Sequence, residues 1–179
     1  MTQQQIQHQR DLRTRENPRA IADLLQTIFA AELICPSENM WLVSPWVSDI
    51  PILDNAAGRF STLIPEFDRA PIRLSGVLLA LADRGTQVTI AVRNASHNRA
   101  FVATMREGLS RITVNDWVHE APDLHEKGLL TDGLYLSGSL NFTFGGISLN
   151  EEVAHISTNS AVVAASRIAF EQRWNGEPS

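Results

Sequence analysis

The sequence predicts a single α/β domain, a mixed β-sheet with helices on both faces. Three observations predict it. Helical and strand-like apolar periods alternate along the chain, the order that builds a sheet flanked by helices. The length of 179 residues suits one domain with a real core. At 44% hydrophobic and 20% charged, the composition is that of an ordinary globular chain, without a block of like charge or a low-complexity tract.

Residues 1–16 are polar and arginine-bearing and read as a flexible tail. Asn17-Pro18 reads as an N-cap followed by proline at the first helical position. A helix to about residue 33 follows, with Ile21, Leu24, Leu25, Ile28 and Phe29 on one face. Residues 40–46, MWLVSPW, read as a short buried strand. Residues 47–71 carry three prolines and mixed signals, and are expected to form a long loop or insertion with about one helical turn. A helix over 72–85 ends at Gly85, and β-branched residues over 86–93 predict a strand. Residues 96–110 read as a helix and 111–118 as a strand. Residues 124–131 and 134–138 form two strands around a tight Asp132-Gly133 turn. A strand over 152–157 and a helix over 160–176, closed by Asn175-Gly176, complete a domain spanning 17–176. Residues 177–179 form a C-terminal tail.

The net charge of −5 argues against a broad surface that coats nucleic acid, although a local positive cleft is compatible with it. The single cysteine, Cys35, excludes an internal disulfide and a cysteine-based metal cluster. No apolar run reaches the roughly 18–20 residues that span a bilayer, and the N-terminus has no apolar signal core. The expectation is a cytoplasmic protein with no membrane partner.

The segment HEKGLLTDGLYLSGSLN, 125–141, gathers polar groups into a hairpin that is otherwise small or apolar. His125 and Lys127 alternate along a strand and are expected to project together. Asp132 follows Lys127 after four intervening residues, and Gly138, Ser139 and Asn141 form a Gly-Ser-x-Asn turn. This pattern, His-x-Lys-x4-Asp then Gly-Ser-x-Asn, resembles the signature of the phospholipase D superfamily. Five residues, 133–137, separate Asp132 from Gly138 where the family has six, and a shorter turn absorbs the difference. Asn150 and Glu152 fall at the positions of the family's Asn-x-Glu, and FEQRWNG, 170–176, is similar to the closing helix of its small bacterial nucleases. The similarity covers roughly 72–176.

The chemistry agrees with that resemblance. Breaking a phosphodiester needs an in-line nucleophile, a cation for the phosphate oxygens and a proton for the leaving group. Neutral imidazole at His125 can attack and form a phosphohistidine. Lys127 supplies a point charge, and Ser139 and Asn141 can donate to the non-bridging oxygens. A carboxylate such as Glu152 can hold the other ring nitrogen. The resemblance implies a catalytic set of His125, Lys127, Asp132, Asn141 and Glu152, in which Asp132, at the hairpin turn, is expected to hold local backbone rather than touch substrate. No metal or cofactor is called for. Two imidazoles are needed but the chain holds one motif, and short members of the family solve this by pairing two chains. A homodimer with a shared site is therefore expected.

The other candidates have plainer readings. His8, His97, His119 and His155 read as structural, and His119 with the nearby Glu126 lacks regular metal-ligand spacing. Trp41, Trp117 and Trp174 read as core, while Trp46 ends a strand where it can face the cleft. Arg10, Arg13, Arg15 and Arg19 read as a solvated tail, with phosphate steering as the alternative. For function, the resemblance implies a metal-independent nuclease on DNA or RNA. The alternatives are a phospholipase or phosphatidyl-transferring enzyme, and a catalytically degenerate subunit that binds nucleic acid. The length and the insert also look like phospholipase-D-like components of bacterial DNA-modification and phage-defence clusters, which would imply further protein partners.

Overall fold

The computed structural model describes residues 9–13, 19–115, 117–148 and 151–175. Strand β1 is Gln9–Arg13 and helix α1 is Ala20–Ile34. Strands β2, Asn39–Ser44, β3, Pro51–Leu53, and β4, Ile72–Arg73, precede helix α2, Leu74–Asp83. Strand β5, Gln87–Val92, leads through a 3-10 turn at Ser96–Asn98 into helix α3, Arg99–Leu109. Strands β6, Val118–Glu120, β7, Gly128–Leu130, and β8, Tyr135–Gly138, follow. A short helix α4, Phe144–Ser148, strand β9, Val153–Ser157, and helix α5, Ser160–Phe170, come next, and a π-helical turn at Glu171–Asn175 continues α5.

The described strands form a seven-stranded mixed sheet in the order β1-β9-β8-β7-β2-β5-β6, with β3 and β4 pairing apart from it. β2, β5 and β6 run parallel, and β7, β8, β9 and β1 pair antiparallel beyond β2. The period of two along each strand sorts the core into two layers. Met40 and Leu42 of β2, Ile90 of β5 and Leu129 of β7 face Ile21, Leu25 and Phe29 of α1, Leu81 of α2 and Met105 of α3. The intervening Trp41, Val43, Ala91 and Leu130 face Val163 and Phe170 of α5, and Trp174 beyond it. The Trp41 and Phe170 rings meet edge to face, 6.5 Å apart. Burying each such large side chain contributes about 1.5–3 kcal/mol. Asn159 caps α5, its Oδ1 accepting from the Ala161 and Val162 amides at 3.0 and 3.2 Å.

The expected α/β fold, with helices on both faces of a mixed sheet, is observed. Several local expectations are corrected. Residues 9–13, expected in a flexible tail, form β1 against β9. Its pairing is made by the backbone, and Leu12 alone reaches the core, so a polar composition conceals the strand. Within 47–71 the chain forms β3 and a series of tied-down turns. The fully buried Asn55 accepts from the Phe60 amide at 2.7 Å and donates to the Phe67 carbonyl at 2.6 Å.

Residues 72–73 pair with β3, so the helix begins at Leu74. The strand expected over 111–118 starts only at Val118. Before it the chain is still turning off α3, with the Thr113 amide bonded to the Leu109 carbonyl at 2.8 Å, and Val114 stands fully exposed. Asn17-Pro18, Asn150 and Gly176 lie outside the described residues.

Candidate active site

The site lies at one end of the sheet, where its parallel half meets its antiparallel half. The carboxyl ends of β2 and β5 stop there, as does the carboxyl end of β8. β7 and β9 start there. Each terminus delivers a motif residue or a neighbour of one. Carboxyl ends of parallel strands are a common place for ligands in α/β sheets, because the loops that leave them diverge and open a crevice.

His125 and Lys127 precede β7 and do not lie on it, which corrects the expected strand over 124–131. His125 is exposed and Lys127 half-buried. The Lys127 ammonium donates to the His125 carbonyl at 2.9 Å, so the two side chains are tied through backbone. Ser139 and Asn141 follow the carboxyl end of β8. The Ser139 amide bonds to the Val153 carbonyl at 3.0 Å, and its Oγ accepts from the Val153 amide at 3.0 Å. The Ser139 hydroxyl also donates to a carboxylate oxygen of Glu152, which is buried just before β9.

Two glycines make this packing possible. Gly138 has φ +137, and a Cβ there would stand 2.0 Å from the Val153 carbonyl oxygen. Gly146 lets α4 close over the Asn141 backbone, since a Cβ there would stand 2.3 Å from the Asn141 carbonyl oxygen. The Asn141 side chain in turn lies 3.5 Å from the Ser44 hydroxyl at the end of β2.

Asp132 sits at the opposite end of the same hairpin, at the expected turn. The Thr131 amide closes that turn on the Leu134 carbonyl at 2.9 Å. Asp132 accepts from the Glu38 amide at 2.6 Å and pairs with Arg167 at 2.7 Å. It fastens the hairpin to the start of β2 and to α5, a backbone-holding part. His155 pairs with Asp11 across β9 and β1 at 2.6 Å, and His119 packs beside Trp174 with ring centroids 5.9 Å apart. Glu126 pairs with Arg173 at 2.9 Å. Burial pushes the Tyr135 phenol above its ordinary range, the Glu126 charge adds to that, and a hydrogen bond with Ser137 pulls the other way. Among the described residues no cluster of three or more His, Cys, Asp or Glu has the form of a metal site, and no helix is long and apolar enough to cross a membrane. An open groove lined by Gly85, Thr86, Leu109 and Trp117 lies at the other end of the sheet, away from the motif.

Sequence reasoning missed Arg93, which follows β5. Its Nη2 donates to the Leu124 carbonyl at 2.8 Å and stands 3.3 Å from Nδ1 and 3.2 Å from Nε2 of His125. The guanidinium also lies over the Trp46 ring, 5.3 Å from its centroid, and Trp46 meets His97 edge to face. Asn98, fully buried, staples the loops that carry Trp46 and Arg93. It donates to the Pro45 and Arg93 carbonyls at 2.8 and 2.7 Å, and accepts from the Val47 amide at 2.9 Å. A signal did exist, a cation at the carboxyl end of a parallel strand.

With this geometry the comparisons with known proteins agree. A family model described as "Cardiolipin synthase, PLD-like domain" matches residues 50–174, and the chain belongs to this phospholipase-D-like family. No curated protein matches the chain in sequence. Among solved structures it is similar to Nuc of Salmonella typhimurium, a phospholipase D family member, at 15% identity and TM-score 0.60, with 93% of each chain covered. It is similar to NucT of Helicobacter pylori at 10% identity and TM-score 0.57, covering 93% of this chain and 94% of that one. It also resembles the phosphatidylserine synthase of Haemophilus influenzae at 13% identity and TM-score 0.57, covering 92% of this chain and 36% of that one.

Proposed function

We propose that the chain is a metal-independent phosphodiesterase that cleaves nucleic acid, DNA foremost, through a phosphohistidine on His125 at a site shared by two copies. One observation carries this reading. Three strand termini, those of β7, β8 and β9, bring an exposed imidazole, an ammonium, a hydroxyl, an amide and a buried carboxylate to one end of one sheet.

In the first step neutral His125 of one copy attacks phosphorus, and a P–N bond forms as the P–O bond to the leaving group breaks. The protonated His125 of the second copy gives its proton to the departing oxygen. That imidazole then takes a proton from water as the water oxygen attacks phosphorus and the P–N bond breaks, which restores both histidines. Lys127 and Asn141 hold the phosphate oxygens, and Ser139 joins them when its hydroxyl turns from Glu152 to the phosphate. Glu152 favours imidazolium and orients the ring. The nucleic-acid reading is supported by the likeness of fold to Nuc and NucT, which the chain covers over 93% and 94% of their lengths.

The test is turnover of labelled DNA, RNA and phosphatidylcholine vesicles in excess EDTA, by wild type and by His125→Asn. DNA cleavage that survives chelation and disappears in the variant is expected. Cleavage of lipid alone, binding of DNA with no cleavage, or activity that EDTA abolishes would each overturn the proposal.

A further inference from the structure

Among the described arginines, Arg59, Arg106, Arg111, Arg167 and Arg173 pair with carboxylates. Arg73 and Arg84 donate to backbone carbonyls away from the motif. Arg93 differs from both groups in standing against a motif residue. Its contacts are a carbonyl, an indole face and both ring nitrogens of His125, and among the described residues no carboxylate pairs with it. Its Nε is buried with no hydrogen-bond partner among them. A half-buried guanidinium beside the motif histidine is placed to receive an anion there, because an anion stabilises a desolvated positive charge.

The side chain is also held in advance. Asn98 fixes its backbone carbonyl, Leu124 O fixes one terminal nitrogen and Trp46 supports the guanidinium. Little rotamer freedom then remains to be lost when substrate arrives. A guanidinium presents a planar fork that matches two oxygens of one phosphate, which an ammonium cannot do.

We propose that Arg93 is a further catalytic residue: its guanidinium binds the non-bridging oxygens of the scissile phosphodiester beside Lys127, and Trp46 and Asn98 are its positioning residues. This rests on the phosphodiesterase reading given above. During attack, negative charge gathers on those oxygens, and a donor already in place stabilises it without reorganisation.

Two measurements test it. Arg93→Gln is expected to lower kcat/KM on a DNA oligomer by about 10²–10³, the range for losing one such donor. In the His125→Asn background, which removes turnover, Arg93→Gln is expected to weaken binding of that oligomer by about ten- to hundredfold. Binding of the same oligomer with neutral methylphosphonate linkages should be unchanged. A kcat/KM within threefold of wild type, or equal weakening for the charged and neutral oligomers, would overturn the assignment. If Arg93→Gln does not fold, Arg93→Lys keeps the stem and charge without the fork. It should then fall at least about tenfold in kcat/KM, and a value within threefold of wild type sinks the idea. If wild type cuts no phosphodiester, the phosphodiesterase reading fails by itself, while the binding comparison still decides whether Arg93 holds phosphate.

Discussion

Glu152 is the residue whose part is least visible from its position in the sequence. It is buried beside an exposed site, and its carboxylate accepts a hydrogen bond from Ser139. Two consequences of that charge can be separated. If it serves imidazolium at His125, Glu152→Gln keeps the shape, removes the charge, and lowers kcat by about 10²–10⁴ with little change in KM. Ser139→Ala then costs less in kcat, since the carboxylate remains. If Glu152 only positions the Ser139 hydroxyl, the two variants lose equally. An unchanged kcat for Glu152→Gln would pass the orienting part to Asp123 or Glu126. For Glu126 that would mean giving up its pairing with Arg173. The residue scale was partly legible in the sequence. His125, Lys127, Ser139, Asn141 and Glu152 were named by motif, while Arg93 and Asn98 were not, because they come together only through the parallel pairing of β2 with β5.

At the scale of elements, β8 shows how backbone conformation aims side chains. Gly138 ends the strand with a positive φ, and the next residue turns its hydroxyl onto Glu152. Gly138→Ala would drive a methyl group into the Val153 carbonyl, so β8 and β9 must part or the turn must unwind. A loss of about 1–3 kcal/mol is expected, the cost of one strained backbone position, with activity falling further as Ser139 is displaced. Chemical denaturation and turnover of the same preparation check both. Wild-type stability with wild-type activity would show that the turn tolerates a side chain.

Elements with a strong period were readable: α1, α5 and β5 fall close to where apolar spacing puts them. Those built by tertiary contact were not. β1 is polar and needs β9, and β3 with β4 needs a fold that returns 72–73 to 51–53. α4, five residues long, was not foreseen and is too short to show a period. The stretch before β7 looked like strand because its residues alternate. It ends instead as an approach segment whose Leu124 carbonyl bonds to Arg93, and that bond lies outside any local pattern.

At the scale of the whole molecule, the proposed reaction uses two imidazoles on opposite faces of phosphorus, and the chain carries one His125. The single copy leaves that imidazole exposed, and Phe144, three residues beyond Asn141, is exposed as well. A two-fold axis through this end of the sheet would set a second His125 opposite the first with no further sequence. Subunit mixing decides it. Wild type and His125→Ala chains, unfolded together in equal amounts and refolded, pair at random into about one quarter wild-type dimers, one half mixed and one quarter lacking the histidine. If each dimer holds one composite site, mixed dimers are inactive and activity falls to about a quarter of an unmixed wild-type control at the same total protein concentration. Self-sufficient sites would leave about half, since each wild-type chain keeps its own activity whatever its partner. A value near half, or a monomer in sedimentation at assay concentration, would end the shared-site reading. The proton donor would then be sought at His119, His155 or in a different protein.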